Sequence, residues 1–333
     1  MDQIDRRIVQ CLLRDGRASF RRIAQVAQVS EQTVARRYRA LVADGAVRVR
    51  TLPSHERLGE QVWFVRVQCR PDATGALADA LAAREDIAYV SVTSGGSEIV
   101  CQTRTDPRHQ SGSALHRLPR TAGVLGYNAY AVLHMHLGDT AKWFAFDDPL
   151  TSEQAALLHS PDPHQEPTAQ AAQEPSDTAA LPERDRRLLA ELAIDGRAGV
   201  VELARATGWS KSRVSDRLTE LLASQALHVA VDLAYPRFGF HDAAYLWIAV
   251  APGRLAATGD ALSAHPETTF TAAVTGSANL LVTVTCRTLE DLYTYVTTKV
   301  GALDAVQQVD VVPVLRRLKQ AGTRLHNGRL IPT

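Results

Sequence analysis

Hydrogen-bonding side chains gather on one face of a predicted helix near the start of the chain. If Val34 points into a core, the opposite face and its flank carry Gln32, Thr33, Arg36, Arg37 and Arg39. Gln pairs with adenine and Arg pairs with guanine in the major groove of DNA. The face therefore predicts contacts with double-stranded DNA. The alternative is a solvated helix face without a ligand.

Positive charge is concentrated in the same part of the chain. Residues 1–50 hold eleven Arg against five acidic residues, a net charge of +6, whereas the whole chain carries +1. Neutralised phosphates supply most of the sequence-independent affinity for DNA. Arg48 and Arg50 alternate on a predicted strand after the helix. We expect both arginines to contact DNA from a wing.

A helix of the same pattern recurs 180 residues later. The candidate DNA contacts there are Lys211, Ser212, Arg213 and Arg217. Asp216 stands where the first helix has Arg36 and repels phosphate, and residues 181–231 carry a net charge of only +1. We therefore expect the first helix to bind DNA better. Arg37 and Arg217 occupy matching positions, and the alternative for both is an ion pair inside the domain.

The bulk composition excludes several classes of protein. A hydrophobic fraction of 45% and a charged fraction of 22% are typical of a soluble globular protein, and 333 residues predict at least two domains. The first ten residues are too charged for a secretory signal, and no apolar run of about 18 residues occurs. We expect a cytoplasmic protein without membrane contact. Four scattered cysteines predict reduced, buried thiols, and we expect no metal and no cofactor.

The helices that position these residues belong to an internal repeat. DRRIVQCLLRDGRA at 5–18 matches DRRLLAELAIDGRA at 185–198, which predicts a tandem duplication. Each copy contains three short amphipathic helices and a strand, the pattern of a winged helix-turn-helix, followed by the order βαββαβ of a ferredoxin-like domain. The predicted class is α+β. The predicted domains are 1–52 and 181–232 for the helix-turn-helix copies and 60–138 and 242–320 for the ferredoxin-like copies.

A segment rich in Pro, Gln, Ala and acidic residues separates the two copies. Residues 139–180 bury too little apolar surface to fold, so they predict a flexible linker. One short helix is expected at LTSEQAALL, capped by Thr151 or Ser152. A flexible span of roughly 35 Å would permit both copies to contact one duplex.

The stretch DRRIVQCLLRDGRASFRRIAQVAQVSEQTVARRYRALVADGAV resembles the N-terminal region of the Lrp/AsnC transcriptional regulators. The module after it resembles their ligand-responsive, oligomerising domain. The resemblance implies a sequence-specific DNA-binding regulator that forms homo-oligomers and senses an amino acid or related small metabolite. Most members carry one copy, so a fused chain implies a pseudo-dimer. The operator, the effector and the direction of regulation stay open.

In that family, effectors bind near a Gly-x-x-Asp turn between the second and third strands of the αβ domain. The matching residues are Gly95 and Glu98 in the first copy and Gly276 and Asn279 in the second, so neither copy keeps the Asp. These four residues are the predicted effector contacts. The alternative is a pair of ordinary hairpin turns, in which Gly and Asn are favoured for their backbone angles.

Two other functions remain as alternatives. Fused proteins resembling this family decarboxylate sirohaem, but they carry His, Arg and Tyr at the inter-strand loop, and VTSGGSEIV and VTGSANLLV have none. The second alternative is a co-regulator that binds DNA only together with a single-copy relative. No nucleophile, phosphate-loop or metal pattern supports catalysis, so we expect no enzyme.

Overall fold

The computed structural model describes residues 1–54, 59–106, 113–138, 146, 148–158 and 185–331. The elements of the first half are α1 Gln3–Arg14, α2 Phe20–Ala27, α3 Glu31–Ala43, β1 Val47–Pro53, β2 Gln61–Cys69, α4 Thr74–Ala82, β3 Ile87–Thr93, β4 Glu98–Thr105, α5 Ala114–Arg117, β5 Val124–Leu137 and α6 Ser152–Leu158. Those of the second half are α7 Arg186–Ile194, α8 Val200–Thr207, α9 Lys211–Ala223, β6 Leu227–Leu233, β7 Asp242–Val250, α10 Leu255–Ser263, β8 Thr268–Val274, β9 Leu280–Cys286, α11 Leu289–Thr294, β10 Val306–Gln320, β11 Thr323–His326 and β12 Arg329–Ile331.

The chain folds into two compact units, and each unit takes one part from each half of the sequence. Unit 1 comprises Met1–Glu60 and Phe146–Val231, and unit 2 comprises Gln61–Ala145 and Asp232–Thr333. The predicted order of three helices and a strand, then βαββαβ, is present in both halves. No helix within the described ranges is long and apolar enough to cross a bilayer. All four cysteines are buried and unbridged.

Unit 1 contains both three-helix domains, and polar caps set where their helices begin. Asp2 and Asp5 form a capping box at α1, and the Ser30 hydroxyl accepts the Thr33 amide at 3.1 Å at the start of α3. Gln28 ends α2 in the left-handed region at φ 54°. This local chemistry gives the helix-turn-helix that the sequence predicts.

Part of the predicted linker is packed on the first three-helix domain. The carbonyl of Asp148 accepts the Gln10 amide at 2.7 Å, and the Asp148 carboxylate pairs with Arg7. The predicted short helix is present as α6, where Thr151 caps Gln154, and Leu158 is fully buried. Residues 148–158 are therefore an ordered part of unit 1, because α6 contributes Leu158 to its interior. The remaining linker, 139–145, 147 and 159–180, lies outside the described residues.

The two wing strands of unit 1 pair with each other. β1 and β6 form a two-stranded sheet, next to which the Ser54 amide donates to the Ala226 carbonyl at 2.9 Å. The Gly196 amide, in the turn after α7, donates to the Val49 carbonyl at 2.8 Å. Each wing is therefore part of the contact between the two helical domains.

Unit 2 joins two four-stranded antiparallel sheets into a closed ring of eight strands. The first half supplies β3-β4-β2-β5 and the second half supplies β8-β9-β7-β10. β5 runs on to pair with β8, with Val132 opposite Val274, and β10 runs on to pair with β3, with Val314 opposite Thr93. The last strand of each half therefore completes the sheet of the other half.

A C-terminal hairpin lies beyond the predicted domains. β10 continues into β11 and β12, which pair antiparallel with Leu325 opposite Leu330. The first half has no counterpart among its described residues. The hairpin is the main element of unit 2 that the sequence analysis left out.

Candidate nucleic-acid interface and effector region

The helix α3 presents the face that the sequence predicts. Val34 is fully buried and Leu41 is 5% exposed, while Gln32, Arg36 and Arg39 on the other side are exposed to solvent. In the described part of the chain, the side chain of Arg36 makes no hydrogen bond or ion pair. Its guanidinium is therefore available to a ligand.

Thr33 and Arg39 make local hydrogen bonds on the same helix. The Thr33 hydroxyl lies 2.8 Å from the Ser30 hydroxyl, and Arg39 Nε donates to the Ala35 carbonyl at 3.1 Å. Arg39 keeps an exposed guanidinium. Thr33 is half-buried and serves the cap of α3.

Arg37 and Arg217 form ion pairs inside their own domains, which was the alternative for both. Arg37 Nη1 donates to Asp2 at 2.6 Å and to Asp5 at 2.9 Å, so α3 is tied to the start of α1. The pKa of Asp2 is lowered, first by the hydrogen bond from the Asp5 amide and then by Arg37. Arg217 pairs in the same way with the fully buried Asp185. We leave both arginines out of the proposed DNA surface.

Arg48 and Arg50 are buried, contrary to the expectation that they extend from a wing. Their exposed fractions are 8% and 6%, and Arg48 Nη2 donates to the Ile194 carbonyl at 3.2 Å. The cause is the pairing of β1 with β6, which covers the strand. Part of the +6 net charge of residues 1–50 is therefore buried, and the exposed positive charge available to DNA phosphates is smaller.

The sequence analysis missed the contact made by the repeated DGR loop. Arg197 donates to the carbonyls of Gly16 and Ala18 at 2.6 and 2.8 Å, and Arg17 donates to the carbonyls of Gly196 and Ala198. Burial lowers the pKa of both guanidinium groups, and the charge of Arg197 lowers that of Arg17 further, while Asp15 and Asp195 oppose the shift in both. The repeat of DGR was the available signal, and the sequence analysis interpreted it as evidence of duplication and not as a contact between the copies.

The second recognition-like helix, α9, exposes a mixed surface. Lys211, Ser212 and Arg213 are exposed, as is Asp216. The Arg213 guanidinium lies over the Trp209 ring at 4.3 Å from its centroid, and the Ser212 hydroxyl lies 3.1 Å from the Ser210 hydroxyl. The positive and negative groups alternate here, whereas α3 carries two exposed arginines on its outer face.

The first candidate effector turn is occupied by internal partners. Glu98 is 6% exposed and accepts from Arg66 Nε at 2.8 Å and from the Thr93 and Ser94 hydroxyls, each at 3.0 Å. Gly95 adopts φ 66°, which favours glycine in the turn. The Glu98 carboxylate is therefore held by side chains of its own domain and serves to stabilise the fold.

The second candidate turn is likewise engaged. The Asn279 side chain donates to the Val250 carbonyl and accepts the Val250 amide, both at 2.9 Å. Gly276 adopts φ 107°, and an added Cβ would lie 3.0 Å from the Tyr130 ring. The geometry favours the alternative of two hairpin turns over a single site formed by these four residues.

Family models match both kinds of domain. A model of the AsnC-type helix-turn-helix domain matches residues 1–42 and 183–222, and a model of the Lrp/AsnC ligand binding domain matches residues 243–323. Among curated proteins, the HTH-type transcriptional regulator FL11 of Pyrococcus abyssi is 30% identical over 138 residues, which is 41% of this chain and 91% of FL11. FL11 of Pyrococcus horikoshii is 28% identical over the same share.

Among solved structures, the siroheme decarboxylase NirDL has a similar fold along most of the chain. The crystal structure of its complex with an iron-uroporphyrin III analogue matches with a TM-score of 0.60 and covers 96% of this chain and 93% of NirDL. The identity is 13%. This likeness shows a shared fold of two joined helix-turn-helix and αβ parts and carries no assignment of chemistry.

Proposed function

Because the chain belongs to the Lrp/AsnC family of helix-turn-helix transcriptional regulators, we propose that it binds specific DNA sequences mainly through α3. The observation that carries the proposal is Arg36, exposed and unpartnered among the described residues, between the exposed Gln32 and Arg39. Arg reads guanine and Gln reads adenine in the major groove. These three residues are the proposed base and phosphate contacts.

The second helix-turn-helix takes the smaller part in this proposal. Lys211, Ser212 and Arg213 are proposed to contact the DNA backbone, and Asp216 weakens that contact by repelling phosphate. Stacking of Arg213 on Trp209 leaves its charge exposed. The second domain then adds non-specific affinity rather than base recognition.

The two copies are proposed to act as a pseudo-dimer that arose by tandem duplication. The reciprocal contacts of Arg17 and Arg197 support this, since self-complementary contacts are the mark of a two-fold interface. The pairing of the end of β5 with β8, and of β10 with β3, supports it as well, because each half extends its last strand onto the other half. Further association of whole chains into homo-oligomers remains part of the proposal.

A small metabolite is the proposed effector, bound in unit 2, because the family model of that part is a ligand binding domain. The buried ion pair of Glu98 argues against the first glycine turn as the contact for an amino-acid ammonium group. The decarboxylase alternative has only the fold likeness at 13% identity in its favour. A regulator therefore remains the better-supported function.

The test is a genome-wide map of the DNA that the full chain binds. Enrichment at discrete sites with a shared sequence supports a sequence-specific regulator. Uniform recovery of DNA would contradict it. Recovery of discrete sites only when a single-copy relative is present would instead support the co-regulator.

A further inference from the structure

We infer that a cavity in unit 2, bounded by β10 and the C-terminal hairpin, binds a small carboxylate with an apolar body. The inference deepens the proposed function and rests on it only in calling this ligand the effector. The site is distinct from the two glycine turns, whose polar side chains already have internal partners.

The cavity has the size and walls of a small-molecule site. Its volume is about 370 Å³, and ligand sites commonly measure roughly 300–1,000 Å³. Apolar side chains from three segments line it: Phe240, Leu315, Leu318, Leu325 and Ile331. A ligand with a compact apolar body would bury that body here.

Among the charged residues of the lining, arginines outnumber acids. Arg316, Arg317 and Arg324 reach the cavity together with His241 and His326, and Asp79 is the acidic residue in the described lining. Carboxylate groups form short, charge-assisted hydrogen bonds with guanidinium groups. The charge balance therefore favours an anion over an ammonium group.

Arg317 is the residue that most favours an anionic ligand in this cavity. It lines this cavity and a smaller one beside it, whose walls include Tyr89 and Tyr245. Its Nη1 donates to Gln320 at 3.2 Å, but its buried Nε has no hydrogen-bond partner among the described residues. Arg317 is half-buried, and its guanidinium carries five N–H donors, which favour a bound acceptor. We infer that a ligand carboxylate in the cavity accepts from this guanidinium.

Within the described residues, the site is present at one end of the strand ring. When YAVL at 130–133 is matched to VPVL at 312–315, the first-half counterpart of Arg317 is Met135. The hairpin that supplies Arg324 and His326 follows β10 alone in the described chain. One ligand per chain is therefore expected.

Calorimetric titration of the full chain with phenylacetate tests the inference, with phenylacetamide as the neutral isostere. The expected result is saturable binding of phenylacetate at one per chain and at least tenfold weaker binding of phenylacetamide. Absence of heat with both phenylacetate and 4-methylpentanoate would overturn it. Equal binding of acid and amide would overturn the role of the charge.

Two variants locate the site. Arg317→Met, which copies the first-half residue, is expected to weaken phenylacetate binding at least tenfold, while Arg254→Met on an exposed turn of unit 2 leaves it unchanged. Leu325→Trp places a larger side chain in the cavity and leaves Arg317 unsubstituted. It is expected to abolish phenylacetate binding. Retention of wild-type affinity by a folded Leu325→Trp variant would overturn the location, whatever the stability of Arg317→Met.

The test of the ligand site and the test of the proposed regulator can fail independently of each other. A chain that binds discrete DNA sites but no carboxylate refutes the cavity assignment alone. A chain that binds phenylacetate but no specific DNA refutes the regulator alone and leaves the cavity assignment standing.

Discussion

Arg17 and Arg197 exchange equivalent hydrogen bonds between the two helix-turn-helix domains. Each guanidinium donates to two carbonyls of the other residue's loop, at Gly196 and Ala198 and at Gly16 and Ala18. Arg197 also lies over the Phe20 ring, 4.7 Å from its centroid. The same DGR sequence thus forms both sides of one interface, which gives its repetition a physical cause.

Gly196→Ala should destabilise this interface strongly. A Cβ at position 196 would lie 2.4 Å from the carbonyl carbon of Arg50, and that backbone is held by the pairing of β1 with β6. We expect a loss of about 1–3 kcal/mol or more in the free energy of unfolding of unit 1, measured by urea denaturation.

Two glycines provide controls for this substitution. Gly199 has open space around its Cα and φ −76°, so Gly199→Ala should cost only about 0.5 kcal/mol. Gly16 faces the Val229 side chain, which can move, so Gly16→Ala should fall between the two. Equal stability of Gly196→Ala and Gly199→Ala would contradict the packed loop.

Local chemistry was predictable from the sequence, whereas the contacts between the two copies were not. The buried side of α3 follows from the spacing of Val34 and Leu41, and its start follows from Ser30. The alternation of Arg48 and Arg50 along β1 is the same whether the strand faces DNA or pairs with another strand. Their burial follows from the pairing of β1 with β6, a strand 180 residues later in the chain. The closed strand ring and the Arg317 cavity depend on such long-range pairing too.

Glu98→Gln should lower the stability of unit 2 without changing its affinity for a ligand. Glu98 is buried and forms an ion pair with Arg66, and an amide nitrogen in place of either oxygen would face a donor: Arg66 Nε at Oε1, or Arg66 Nη2 and the Thr93 and Ser94 hydroxyls at Oε2. Arg66 keeps Asp310 and some solvent contact, so the expected loss is about 1–3 kcal/mol by thermal or urea unfolding.

The exposed Glu290→Gln substitution serves as the matched control and should leave stability nearly unchanged. Phenylacetate affinity should stay within twofold in both variants. If Glu98→Gln keeps its stability but no longer binds phenylacetate, the prediction is wrong and Glu98 is an effector contact.

His265 should make unit 2 less stable in mild acid. Burial lowers the pKa of His265 below its ordinary 6.5. The charge of Lys299 lowers this pKa further, and the charge of Glu267 opposes the shift. The folded form then binds a proton less readily than the unfolded chain, so stability is complete above pH 6.5 and declines as the pH falls below it.

The comparison of wild type with His265→Gln isolates this contribution from the other histidines. The wild-type free energy of unfolding should fall more steeply than that of the variant between pH 7 and pH 5. His265 Nδ1 lies 3.1 Å from the Tyr295 hydroxyl, which Gln can still contact. Parallel pH profiles would rule out His265 as the source.

The measurement that bears most directly on the DNA-binding account is a titration of one mapped DNA site with wild type, Arg36→Ala and Asp216→Ala. The account predicts that Arg36→Ala weakens binding by about 1–3 kcal/mol, because an exposed major-groove contact is lost. Asp216→Ala should bind at least as tightly as wild type, since it removes a negative charge from α9. Wild-type affinity of a correctly folded Arg36→Ala variant would contradict the assignment of α3 as the helix that recognises DNA.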